Sequence, residues 1–150
     1  MRKAKKLIIF LTCIAIVVVI GSVFIGNPKI YINNQRLKNS LKSIDSELVQ
    51  LNDVVPFEWD TVYTFEPYQS KESIEKVVGF KSRDIKANTI SEGMLTLLFV
   101  KNNRVVASVL GKPSVLGYQL EFCDKITFSQ RAQFSVTKTD GIITLTYVKW

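Results

Sequence analysis

Glu58 and Asp60 stand two residues apart, with Glu66 further along the same run, and a period of two puts all three carboxylates on one side of an extended strand. Such a set suits general acid–base work or a hard metal ion, each of which needs carboxyl oxygens facing one space. Few other chemistries are open. The chain has no His and only two cysteines, Cys13 and Cys123. This excludes His-based triads, zinc fingers, CxxC redox pairs and haem attachment, so any base must be a carboxylate or a Lys. No Gly-rich phosphate loop and no paired metal-ligand spacing occurs. In the plainer alternative the three carboxylates form the solvated face of a half-buried strand, and Cys123 is a buried small hydrophobe. The expectation is therefore a non-enzyme with no catalytic residue, no metal site and no cofactor.

The residues that carry these groups must be placed by the chain around them, and its first part points to a membrane. Leu7 to Ile25 is 19 residues without a charge, close to the ~20 needed to span a hydrocarbon core. Arg2, Lys3, Lys5 and Lys6 precede it, and positive flanks stay in the cytoplasm. The expected organisation is a basic cytoplasmic tail over 1–6, a transmembrane signal-anchor helix over 7–25 and one extracytoplasmic domain over 27–150. A removable signal peptide ending near Val19-Ile20-Gly21 is the alternative. Lipid attachment at Cys13 is not expected, because Phe10-Leu11-Thr12 lacks a small residue before the Cys. The net charge of +7 loses its nucleic-acid flavour once the tail is set apart: without those four cations, 16 basic residues face 13 acidic ones. No nucleic-acid partner is expected.

Beyond the apolar run, Asn27-Pro28 or Asn33-Asn34 opens a helix whose stripe is Leu37, Leu41, Ile44, Leu48 and Leu51. The stripe is expected to pack on the protein's own sheet, with a coiled coil as the alternative. Residues 57–66 then alternate as one strand, with Phe57, Trp59, Thr61, Tyr63 and Phe65 facing the core. Ser70 and Gly79 bracket a short helix carrying Ile74, Val77 and Val78. Residues 80–92 form a connection. Met94–Val100 and Arg104–Leu110 make a hairpin about Lys101-Asn102-Asn103. The first of these runs is apolar on both faces, as a central strand covered on both sides would be. Tyr118–Cys123 is a further short strand, and Ala132–Thr137 with Ile142–Val148 make a second hairpin about Asp140-Gly141. The predicted fold class is α+β: an N-terminal transmembrane helix, then an antiparallel sheet of about five strands with one long and one short helix on one face.

The stretch Phe57-Glu58-Trp59-Asp60-x-Val62-Tyr63-x-Phe65-x-Pro67-Tyr68, followed by Ser70-Lys71-Glu72-x-Ile74-Glu75 and Gly79-Phe80, resembles a family of small membrane-anchored or exported Gram-positive proteins. Its mark is a W-D-x-V-Y-x-F-x-P-Y motif, and the likeness covers about residues 50–110. The resemblance implies an exported, membrane-tethered module, some relatives of which guard against a toxin or envelope insult; it carries no functional residue with it. The expected function is a membrane-anchored extracytoplasmic module that binds a protein, as an immunity or cell-envelope accessory protein. Asp60, Glu66 and Tyr68 are the candidate binding positions. Asp60 has a structural alternative, capping a nearby backbone amide or the Tyr68 hydroxyl. Two other functions stand beside this one: a cell-envelope hydrolase using Glu58, Asp60 or Glu66, and a structural subunit of a membrane complex whose Leu37–Leu51 stripe meets a partner helix.

Overall fold

The computed structural model describes residues 6–14, 16, 27–87 and 91–148. Residues 6–14 and 16 are helical, with Leu7, Ile8, Ile9, Phe10, Leu11, Ile14 and Ile16 all exposed. Among the described residues no helix is long and apolar enough to cross a membrane. Ala15 and residues 17–25 of the expected span, and the alternative cleavage site with them, lie outside the described residues.

Two four-stranded sheets replace the single sheet of the sequence reading. One has the order β4-β3-β2-β6, built from Arg104–Gly111, Leu95–Lys101, Thr61–Thr64 and Lys125–Thr127; the other is β1-β7-β8-β5, from Leu48–Gln50, Gln133–Thr139, Ile142–Tyr147 and Tyr118–Glu121. The reason lies in β3. Leu95 to Val100 is buried throughout. Leu97 and Phe99 point into a core shared with Phe134, Ile143 and Leu145 of the second sheet, while Leu98 and Val100 join Ile74, Phe65 and Ile85 on the opposite side. Leu37 and Leu41 enter that core from the helix over 28–42, and the alternating C-terminal hairpin β7–β8 folds back to close it. The second face is covered by helix α3 (Lys71–Val78), which begins at Ser70, whose Oγ accepts from the Ser73 N–H, and ends at Gly79. The helices are thus not on one face of one sheet. The second sheet is also mixed, because β5 pairs parallel to β8, with Leu120 facing Leu145.

Helix α1 (Pro28–Lys42) starts at the earlier of the two possible caps: the Asn27 side chain accepts from the Lys29 N–H. Asn33 and Asn34 are therefore inside the helix, and they cover the open edge of β4. Asn33 Nδ2 donates to the Val106 carbonyl at 2.8 Å. Asn34 Nδ2 donates to the Ser108 carbonyl at 2.8 Å, and its Oδ1 accepts from the Ser108 N–H at 3.1 Å. Edge strands are prone to add foreign strands unless covered. Further along α1, Leu37 and Leu41 are fully buried in the shared core, so the stripe serves the protein's own sheets. The helix stops at Ser43, short of the predicted Leu51. Ser43, Asp45 and Ser46 compete for backbone hydrogen bonds, as the Ser43 Oγ bond to the Ser40 carbonyl shows. Leu48–Gln50 then becomes β1, paired with β7, and Leu51–Val54 is the single turn α2.

The predicted strand 57–66 is cut to Thr61–Thr64 by a slip at Asp60. Asp60 donates its N–H to the Val100 carbonyl, and Thr61 faces Val100 as well. With two residues set against one, the side-chain alternation changes phase. Trp59 and Val62 enter the shared core, whereas Tyr63 and Phe65 turn to the α3 side. The ring-bearing face of the sequence reading is thus divided between two cores.

Candidate functional site

The three carboxylates are not brought together. Asp60 sits at the end of β2 nearest the β3–β4 turn, where its Oδ2 accepts from the Asn102 N–H at 2.7 Å and its Oδ1 meets Lys101 Nζ at 2.9 Å. Asn102 and Asn103 both have positive φ, 48° and 55°, the backbone of a two-residue hairpin turn. The Asn102 N–H, with the Lys101 ammonium second, holds the Asp60 carboxyl below its ordinary range. The same pairing raises Lys101. Glu58 lies along a polar groove on that side of the hairpin, together with Lys101 and Arg104. Glu66 lies beyond the other end of β2, whose four residues extend about 13 Å.

Glu66 does line a cavity, of about 480 Å³, between two chain corners. One corner, 64–70, joins β2 to α3; the other, 122–124, joins β5 to β6. They are tied by the Thr64 N–H, which donates to the Asp124 carbonyl at 2.9 Å. The walls are Phe65, Val77 and Phe122, with Glu66, Gln69, Asp124 and Lys125 at the rim and floor. The Tyr63 and Phe65 rings stack at 6.0 Å with planes 8° apart, which fixes one wall.

Both corners are bent by left-handed residues, Tyr68 at φ 68° and Asp124 at φ 54°. For Asp this is common; for a bulky Tyr it is strained. Tyr68 is 56 % exposed, next in sequence to the cavity-lining Gln69 and two residues from Glu66. The Gln69 Oε1 is shut off from solvent and accepts no hydrogen bond among the described residues. A buried acceptor without a donor carries its full desolvation cost. The site therefore offers two carboxylates against one ammonium and an apolar wall, with an unpaired amide oxygen sealed behind its surface.

Cys123 also lines this cavity and is exposed, contrary to the buried small hydrophobe of the sequence reading. β5 ends at Glu121, so Cys123 falls on the corner instead of in a strand. Sequence reasoning placed Glu66 and Tyr68 but missed Gln69, Asp124 and Lys125. Asp124, between two short β-rich runs, carried a usable turn signal; Gln69 carried none, since it lines the cavity together with residues 122–125, far along the chain. Comparison of the chain with protein-family models, with curated proteins and with solved structures gave no match.

Proposed function

We propose that the chain is a membrane-anchored extracytoplasmic module that binds a protein segment in the cavity between the two corners, as an immunity or cell-envelope accessory protein. The observation that carries this reading is the cavity itself, which sets Phe65 and Phe122 beside Glu66, Gln69 and Asp124 at a corner bent by the exposed, strained Tyr68. Strain and unmet hydrogen-bonding capacity gather where a partner relieves them. The chemistry favours a segment that presents hydrogen-bond donors, including a basic side chain for Glu66 and Asp124, and an apolar side chain for the Phe65 and Phe122 wall. β6 is the edge strand of its sheet, so an extended segment has a place to lie alongside the cavity. The anchor reading rests on the uncharged run from Leu7 to Ile25 and the cations before it.

The test is photocrosslinking from Tyr68 and from Val77 in the full chain in its native membranes. The expected result is one recurrent protein adduct from both positions, lost on Gln69→Leu and on Glu66→Lys, with the fold intact by circular dichroism. Adducts that survive both substitutions, or no protein adduct from either position, overturn the reading. Protease digestion of intact cells provides the topology: the domain is degraded from outside, and its protection in unbroken cells overturns the extracytoplasmic placement.

A further inference from the structure

The outward face of α1 changes character along its length. Ile30, Asn33, Leu37 and Leu41 face inward. In the first turn the exposed positions are Pro28, Lys29, Tyr31 and Ile32, with Tyr31 55 % and Ile32 49 % exposed. From the next turn on, the exposed residues are Gln35, Arg36, Asn39 and Lys42, all polar. An apolar outer face confined to the first turn, about 6 Å of helix, is not explained by either core. It lies at the end of the helix where the uncharged run stops, only Gly26 and Asn27 separating Ile25 from Pro28. The three peptide steps from Ile25 to Pro28 span at most about 11 Å.

The same end of the molecule is basic. Asn33 bonds to Val106 and Asn34 to Ser108, so α1 and β4 advance in the same sense and the α1 N-terminus lies by the β3–β4 turn. There a groove of about 740 Å³ is lined by Lys29, Lys81, Lys101 and Arg104 against Glu58 and Asp84. Lys101 is engaged by Asp60; among the described residues Lys29, Lys81 and Arg104 form no ion pair. Tyr prefers the depth of lipid headgroups, and cations near an anionic leaflet are drawn to it.

We infer that this end of the domain docks on the bilayer, with Tyr31 and Ile32 in the headgroup layer and Lys29, Lys81 and Arg104 against anionic lipid phosphates. The inference rests on the membrane-anchor reading and goes beyond it: an anchor alone leaves the domain free to tumble, whereas docking fixes its attitude. The attitude follows from the strand register. Thr61 faces Val100 near the docked turn and Thr64 faces Leu97 further from it, so the cavity at Glu66 and Gln69 lies toward the end of β2 remote from the docked turn.

The test uses the full chain, with Cys13 and Cys123 replaced by Ser, in phosphatidylcholine vesicles with and without phosphatidylglycerol. A nitroxide is attached through Ile32→Cys and, as the aqueous control, through Val115→Cys, a position 75 % exposed. Flotation after an alkaline carbonate wash reads the anchor; collision with oxygen and with a nickel chelate reads the docking. In anionic vesicles the label at position 32 is expected to be oxygen-accessible and shielded from nickel, while position 115 stays aqueous. Neutralising Lys29, Lys81 and Arg104 to Gln is expected to lower the docked-to-free ratio about fivefold per charge. A chain that floats with position 32 as aqueous as position 115 overturns the docking and leaves the anchor standing. Shielding that is equal in both vesicle types, or unmoved by the three substitutions, overturns the assignment to anionic headgroups. A chain that does not float overturns the anchor and the docking together.

Discussion

Asn34 holds Ser108 as a neighbouring strand would, donating to its carbonyl at 2.8 Å and accepting from its N–H at 3.1 Å. A helix side chain thereby completes the hydrogen bonding of β4 on its outer edge, where among the described residues no strand pairs with it. Asn34→Ala leaves both backbone groups of Ser108 without their partner, in a part-buried setting. The expected loss is about 1–3 kcal/mol of unfolding free energy, read as a lower denaturant midpoint at unchanged slope. Asn34→Asp keeps an acceptor for the Ser108 N–H but sets a carboxylate against its carbonyl, and it is expected to lose stability as well. An Asn34→Ala chain with the parent midpoint removes the edge-covering role.

Asp60 predicts a pH dependence with a definite sign. Its carboxyl is held low in the folded chain by the Asn102 N–H and then by Lys101. A carboxyl whose folded pKa is depressed contributes stability above its unfolded pKa, about 3.9, and loses it as pH falls through the lower folded value. Asp60→Asn is therefore expected to melt at a lower temperature than the parent at neutral pH, and the two melting curves should converge as the parent is acidified below about pH 4. Curves that stay parallel down to about pH 3 show that the Asp60 charge does not stabilise the turn.

Trp59 is 2 % exposed, edge-on to Phe99 at 5.9 Å and to Phe128 at 5.3 Å, yet among the described residues its Nε1 donates no hydrogen bond. Trp59→Phe removes that unpaired donor along with part of the packed ring. The two effects oppose, and the variant is expected within about 1 kcal/mol of the parent. Trp59→Ala empties the position with no compensating gain and is expected to cost about 3–5 kcal/mol. Equal losses for Phe and Ala in chemical denaturation would mean that the indole N–H is satisfied.

These residues also mark how far the sequence could be read. The two hairpins were legible because their turns are local: Asn102-Asn103 and Asp140-Gly141 take left-handed backbone where it was predicted. The same holds for α3, set by Ser70 at one end and Gly79 at the other. β1 and β6 have three residues each, too few for any periodicity to show. The phase change at Asp60 depends on Val100, a residue far along the chain. Nor does local pattern specify that β5 enters the second sheet parallel to β8. The cavity followed the same rule. Glu66 and Tyr68 stood out by type and by their place at a corner, but Gln69 lines a cavity only because the Thr64–Asp124 bond ties a second, sequence-distant corner to the first.

Tyr68 separates stability from binding. Its φ of 68° is unfavourable for any residue with a Cβ, and its ring, 56 % exposed, gains little from packing. Tyr68→Gly relieves the backbone at some cost in unfolded-chain entropy, for an expected net stabilisation of about 0.5–1 kcal/mol. If strain is kept at this corner because the ring meets a partner, the same substitution weakens partner capture although the fold is firmer. Denaturant midpoint and the yield of the Val77 photoadduct are therefore expected to move in opposite directions. A Tyr68→Gly chain that is more stable and gives the same adduct yield would take the Tyr68 ring out of the interface and leave its conformation without a functional reason.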